Sequence, residues 1–154
     1  EVKVVDKHYL EQRYHSEEFK SSLDSSSYKF SLNKEQDWAF RIVANHAVSP
    51  YSDQLNLYIG GMGGTGKSQV LKALMNFFND RDETHRIIIV APTGSAAALL
   101  GGSTYHLAFG INDRVDTQND GSSVLSHLSG VDYVFFDEVS MLSAGDLGKI
   151  SVRL

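Results

Sequence analysis

One octapeptide constrains the fold more than any other part of the chain: residues 61–68 follow the pattern Gly-x-x-x-x-Gly-Lys-Ser. Its glycines allow a tight turn in which successive backbone N–H groups converge on one anion. A helix that follows such a loop adds the positive end of its dipole. Residues 61–68 are therefore predicted to form a P-loop that binds a nucleoside triphosphate. The P-loop consists of Gly61, Met62, Gly63, Gly64, Thr65, Gly66, Lys67 and Ser68.

Two side chains of the P-loop have predicted chemical roles. Lys67 supplies a positive charge for the β- and γ-phosphates, and the Ser68 hydroxyl is a ligand for Mg²⁺. A chance glycine-rich turn is the alternative interpretation. The apolar residues 55–59 before the loop predict a strand, and the spacing of apolar residues in 67–79 predicts a helix, so the sequence context favours the P-loop.

Apolar runs alternate with helical patterns along the rest of the chain. Strands are predicted at residues 55–59, 86–91 and 131–137, and helices at residues 33–48, 67–79, 95–100, 104–109 and 143–154. Continuous apolar strands that alternate with helices are typical of an α/β fold, in which a parallel sheet has helices on both faces.

The two ends of the chain differ in character. Residues 1–31 are polar and rich in serine, and they are interpreted as an N-terminal tail or linker, with one short helix at residues 7–19. Residues 32–154 carry the regular pattern and are predicted to form one lobe. Within that lobe, residues 112–123 are predicted to be a loop, because they are rich in Asn, Asp, Ser and Gly.

An acidic pair, Asp137 and Glu138, follows the last predicted strand. Ligands of parallel sheets bind outside the carboxyl ends of the strands, so we expect this pair to meet the P-loop there. Asp137 is predicted to hold the hydration shell of Mg²⁺, and Glu138 to polarise a water for attack on the γ-phosphate. A solvated surface pair is the alternative, which the position behind an apolar strand disfavours. A glutamate here favours hydrolysis over phosphoryl transfer to a small molecule.

Composition excludes several classes of protein. The 154 residues contain no cysteine, so disulfides and thiolate metal sites are excluded. The formal charge of −5 argues against a broad surface for polyanions, although it leaves room for a narrow nucleic-acid track. No apolar run approaches the length that crosses a bilayer, so no membrane partner is expected.

Four segments together resemble the petite-integration-frequency (Pif) family of superfamily 1 DNA helicases. They are Leu-Asn-Lys-Glu-Gln at residues 32–36, the P-loop, Ala-Pro-Thr-Gly-Ser-Ala-Ala at 91–97 with Gly-Gly-Ser-Thr-Tyr-His at 101–106, and Asp-Glu-Val-Ser-Met at 137–141. The P-loop alone occurs in many ATPases, whereas this combination in this order is similar to the Pif family and its transposon-borne relatives. RecD-like helicases are the nearest neighbours of that pattern. The resemblance covers residues 32–154.

The resemblance implies a RecA-like lobe that uses ATP and Mg²⁺ and acts on single-stranded DNA. It implies that Gln36, with Asn33, recognises adenine, whereas the residues alone favour a capping box at a helix start, a role that can coexist with adenine recognition. It implies DNA contacts by Thr93, Gly94 and His106. The residues alone favour a plain helix cap at Thr93 and a packing role for His106.

The family pattern also implies what lies outside this chain. The second RecA-like lobe and its γ-phosphate arginine would follow residue 154, so the sequence is expected to be the first lobe only, truncated after the acidic pair. The resemblance further implies 5′-to-3′ movement, a nuclear or mitochondrial location, and work in DNA repair, recombination and telomere maintenance. Two alternatives remain: an inactive nucleotide-binding remnant or interaction module, and a P-loop ATPase that does not act on DNA.

Overall fold

A computed structural model describes residues 20–49, 53–111 and 128–154 of the chain. Two compact units divide it, one within residues 1–82 and one within residues 83–154. The helix predicted at residues 7–19 and the loop predicted at 112–123 lie outside the described residues. Within the described part, no helix is long and apolar enough to cross a bilayer.

The described part of the first unit contains three helices: α1 (Lys20–Lys29), α2 (Lys34–Val48) and α3 (Lys67–Asn79). The predicted bounds of α3 are confirmed, and those of α2 differ by one residue. Both helices were predictable because their apolar residues recur on one side. Phe40 of α2 packs edge-on against Phe77 of α3, with ring centroids 6.1 Å apart, and both side chains are fully buried.

Helix α1 forms in the serine-rich segment interpreted above as a tail or linker. Its only buried apolar side chain is Leu23, so the segment has too few apolar residues at helical spacing for this helix to be predicted from the sequence. Serine also has a low helix propensity. Contacts with the other helices hold it: Asp24 pairs with Arg41 of α2, and the Lys29 ammonium donates to Asn76 Oδ1 of α3 at 2.6 Å.

The prediction of a strand at residues 55–59 is wrong, because these residues form no regular element. Leu57 is 38% exposed and Tyr58 is 79% exposed. Their apolar pattern fits a strand, but a strand requires a neighbour whose backbone groups complete the ladder. No described strand pairs with this segment.

The described part of the second unit contains a parallel sheet of three strands, β1 (Ile87–Ala91), β2 (Ser103–Thr104) and β3 (Tyr133–Phe136), in the order β2-β1-β3. The described residues of this unit also form helices α4 (Gly94–Leu99), α5 (Tyr105–Ala108) and α6 (Ala144–Ser151), with short 3₁₀ turns at Thr84–Arg86 and Val139–Met141. The prediction of a parallel α/β fold is confirmed, and the sheet is consistent with part of a RecA-like lobe.

One face of this sheet carries the core of the second unit. Val90 on β1 lies beside Phe136 on β3 in the parallel register. Both pack against Phe109, which stacks on the Phe136 ring at 6.0 Å, and against Ile150 of α6. The backbone before β2 approaches β1 closely because residue 102 is a glycine. A Cβ at Gly102 would collide with the backbone carbonyl of Ile89.

Candidate nucleotide-binding site

The P-loop ends in a backbone turn that glycine makes possible. Gly66 caps the N-terminus of α3 with φ 81° and ψ 23°, in the left-handed region where other residues are strained. Gly66 has no side chain, so the first turn of α3 lacks a side-chain cap. Its N–H groups are therefore suited to meet an anion.

The P-loop is folded on itself by its own polar groups. The Lys67 ammonium donates to the carbonyls of Gly61 and Met62, at 2.7 and 3.0 Å. The Thr65 hydroxyl donates to the same Met62 carbonyl at 2.8 Å. Phosphate oxygens would offer Lys67 stronger, charge-assisted bonds than these neutral carbonyls. The bonds to Gly61 and Met62 therefore keep the Lys67 ammonium within the P-loop, where a triphosphate would be bound.

Ser68 is exposed in the first turn of α3, and its hydroxyl oxygen is a hard ligand of the kind that Mg²⁺ accepts. Within the described residues, no group of three or more His, Cys, Asp or Glu side chains forms a protein-only metal cage. Such a cage is not what a nucleotide site requires, because Mg²⁺ there is held mainly by phosphate and water. The donor atoms present fit Mg²⁺ bound together with a nucleotide.

Gln36 connects the start of α2 to the P-loop. The capping box predicted from sequence is confirmed: Gln36 N donates to Asn33 Oδ1, and Asn33 N donates to Gln36 Oε1, both at 2.9 Å. The other end of the same side chain, Nε2, donates to the carbonyl of Thr65 at 3.0 Å and to that of Gly66 at 3.4 Å. Sequence reasoning missed this second contact. Adenine recognition by Gln36 and Asn33 stays a prediction.

Gly66→Ala is expected to lower the free energy of unfolding of the chain by about 1–2 kcal/mol, the cost of a left-handed non-glycine residue. The new methyl group would also collide with the Gln36 amide. Gly63→Ala is the matched control, because nothing lies within 4 Å of its Cβ position. Urea denaturation of both variants checks this, and equal midpoints would contradict the placement of Gly66.

The acidic pair of the second unit follows β3 directly. Asp137 N donates to the Val90 carbonyl at 2.9 Å, so the ladder between β1 and β3 continues to this residue. Glu138 has φ 52° and ψ 42°, a left-handed conformation for a non-glycine residue, and its side chain is exposed. Strain of this kind concentrates at functional turns. The turn presents the Glu138 carboxylate to solvent while Asp137 stays half-buried at the strand end.

The predicted DNA-contacting residues also lie in the second unit. Thr93 caps α4, with Ala96 N donating to Thr93 Oγ1 at 3.3 Å, so the helix-cap interpretation is confirmed. Thr93 and Gly94 are exposed just beyond β1. His106 is half-buried and stacks on Tyr105 with ring centroids 4.0 Å apart, which supports a packing role. A role of these residues in binding DNA stays a prediction.

Tyr105 links that stack to α6 through Asp146. The Ser143 hydroxyl donates to Asp146 Oδ2 at 2.8 Å and the Tyr105 hydroxyl donates to the same oxygen at 3.1 Å. The bond from Ser143 has the largest effect, and together the two bonds hold the pKa of the Asp146 carboxyl below its usual value. A negative charge beside His106 does not favour a phosphate at this point.

The structure thus assembles the predicted residues in two groups. In the first unit, Gln36 of α2 is hydrogen-bonded to the P-loop. In the second unit, Thr93 and Asp137 follow adjacent parallel strands and so lie at the same end of the sheet, beyond the carboxyl ends of its strands. That both groups face one nucleotide stays a prediction.

Known proteins resemble this chain over most of its length. The family model described as "PIF1-like helicase" matches residues 31–151. The chain is 31% identical over 146 residues to the ATP-dependent DNA helicase PIF4 of Trypanosoma brucei brucei, an alignment that covers 88% of this chain and 17% of that protein.

Two further relatives come from a bacterium and a yeast. The chain is 31% identical over 94 residues to the ATP-dependent DNA helicase Pif1 of Bdellovibrio bacteriovorus, covering 56% of this chain and 20% of that protein. It is 30% identical over 105 residues to the ATP-dependent DNA helicase RRM3 of Saccharomyces cerevisiae, covering 62% and 14%. The chain therefore spans no more than 20% of the length of these three relatives. No solved structure matches it significantly.

Proposed function

Because this chain belongs to the PIF1-like helicase family, we propose that it is the nucleotide-binding lobe of an ATP-dependent DNA helicase. The relatives bear the name ATP-dependent DNA helicase, which supports the use of ATP and an action on DNA. The observation that carries the proposal is the P-loop, with Lys67 folded onto it and Gln36 bonded to its end.

Each residue of the site has a role in the proposed hydrolysis. Lys67 neutralises the β- and γ-phosphates, and Ser68 and Asp137 are the oxygen donors that would hold Mg²⁺, which supplies further charge neutralisation when bound. Glu138 accepts a proton from water as the water oxygen bonds to the γ-phosphorus. The bond between that phosphorus and the β–γ bridging oxygen breaks, and the products are ADP and phosphate.

In the proposed coupling, the strand ends of the second unit contact single-stranded DNA. Thr93 and Gly94 offer a hydroxyl and backbone N–H groups, which suit phosphate oxygens of the strand rather than base edges. Such contacts carry no sequence information, as a motor that passes along any sequence requires. In the whole helicase, opening and closing of this lobe against a second one would turn hydrolysis into movement.

The proposal is tested by titrating the chain with Mg·ATP in a calorimeter and with labelled single-stranded DNA in fluorescence anisotropy. Both are expected to bind, and DNA binding should weaken as salt rises, because phosphate contacts release counterions. If the chain bound ATP but did not bind DNA even at low salt, a P-loop ATPase that does not act on DNA would be favoured. Absence of ATP binding would overturn the proposed function. ATP binding without detectable turnover, in a longer form of the protein, would favour the inactive remnant.

A further inference from the structure

The contact of Gln36 with the P-loop uses both ends of its amide group. Oε1 accepts from Asn33 N and so completes the capping box. Nε2 donates to the carbonyls of Thr65 and Gly66. These two carbonyls lie 29 and 30 residues away in the sequence, at the junction between the P-loop and α3.

Fixing a carbonyl also fixes the N–H group of the same peptide unit. A peptide bond is planar and trans, so its C=O and N–H point in opposite directions. When the Thr65 carbonyl points at Gln36, the N–H of Gly66 must point away from it. The Gly66 carbonyl accepts from Gln69 N at 2.9 Å as well as from Gln36, and with both bonds in place the N–H of Lys67 points away from them. These two N–H groups belong to the P-loop end that meets phosphates in a nucleotide site.

The space around Gly66 supports the same conclusion. A Cβ there would collide with the Gln36 amide, so the glutamine occupies the place that a side chain would take. Gly66 is left-handed, a conformation that glycine leaves easily because it has many alternatives. Gln36 therefore restrains the most flexible residue at the junction.

We infer that Gln36 is a positioning residue for the phosphate chain, which orients the N–H groups of Gly66 and Lys67 whatever base the nucleotide carries. The inference rests on the proposed nucleotide site and deepens it. It is separate from adenine recognition, because a residue that only reads the base has no effect on a ligand without one.

The ligand that tests this is inorganic tripolyphosphate with Mg²⁺, which has the phosphate chain and no base. Calorimetry compares the wild-type chain with Gln36→Met, which keeps the length of the side chain and is neutral but cannot donate. Its affinity for tripolyphosphate is expected to fall about three- to tenfold, the effect of one lost hydrogen bond. Affinities for ATP and GTP should fall by at least the same factor.

Asn33→Ala is the matched control for the helix start. It removes the Asn33 Oδ1 acceptor from the capping box but leaves in place the bonds that Gln36 Nε2 donates to the carbonyls of Thr65 and Gly66. Its affinity for tripolyphosphate is expected to stay within twofold of wild type. A fall equal to that of Gln36→Met would overturn the inference, because the effect would then belong to the start of α2. The inference is equally overturned if Gln36→Met weakens ATP binding alone and leaves tripolyphosphate unaffected.

A second readout needs no ligand. In NMR spectra of the free chain, Gln36→Met is expected to shift or broaden the amide signals of Gly66 and Lys67, whereas Asn33→Ala leaves them nearly unchanged. Unchanged signals in Gln36→Met would overturn the inference even if ATP binds. If the signals change but the wild-type chain binds neither ATP nor tripolyphosphate, the restraint exists and the proposed function is what fails.

Discussion

Lys67→Ala is expected to reduce the affinity of the chain for Mg·ATP about a hundredfold or more, to the point where calorimetry detects no binding. The ammonium would bond to oxygens of the β- and γ-phosphates, and each hydrogen bond that involves a charged group contributes about 1.5–3 kcal/mol. Removing the only lysine of the P-loop also leaves the negative charge of the triphosphate without its nearest partner in the loop.

Lys72→Ala is the matched control for this prediction. Lys72 is exposed on the same helix, so its removal changes the net charge equally. Its effect on ATP affinity is expected to be less than twofold. The fold should survive both changes, because Lys72 is exposed and the bonds that Lys67 donates to Gly61 and Met62 stay within the P-loop. If Lys67→Ala bound ATP as tightly as Lys72→Ala, the P-loop assignment would be wrong.

Sequence periodicity predicted those elements whose residues carry their own pattern. The stripe of Val70, Leu71, Leu74 and Phe78 predicts α3, and the structure buries all four side chains. The run of isoleucines before Val90 predicts β1 in the same way. A local pattern is enough in these cases because burial of the apolar residues decides the conformation.

Elements that depend on a distant partner were not predictable. Strand β2 is two residues long and exists because Gly102 lets its backbone approach Ile89 of β1. Residues 55–59 have the pattern of a strand and lack a partner among the described strands. Helix α1 depends on contacts with α2 and α3 rather than on its own apolar residues.

The same distinction applies to the candidate site. The P-loop, the capping box and the acidic pair could be predicted, because each is a local sequence motif whose chemistry depends on residue type and spacing. The bond between Gln36 and Thr65 could not, since it joins residues 29 positions apart. The left-handed turn at Glu138 was also unpredictable, because the residue type does not favour that conformation.

Glu138→Gln is expected to keep the affinity for Mg·ATP within about twofold and to slow hydrolysis by about 10²–10⁴-fold, the usual contribution of a general base. An amide has nearly the shape of a carboxylate but cannot accept the proton of the attacking water. Because the backbone cost of the left-handed turn is the same for Gln and Glu, the fold of the turn should be preserved. Phosphate release over many hours, measured on the chain itself, checks the rate, with Glu35→Gln as an exposed control of equal charge.

A second substitution at the same position separates strain from chemistry. Glu138→Gly relieves the left-handed backbone, which should raise the free energy of unfolding by about 1 kcal/mol, while it removes the carboxylate entirely. Hydrolysis should then be as slow as in Glu138→Gln, although the chain is more stable. Such a result would mean that the chain tolerates a strained turn at Glu138 for the sake of its carboxylate. Turnover at the wild-type rate in either variant would exclude Glu138 as the group that activates the water.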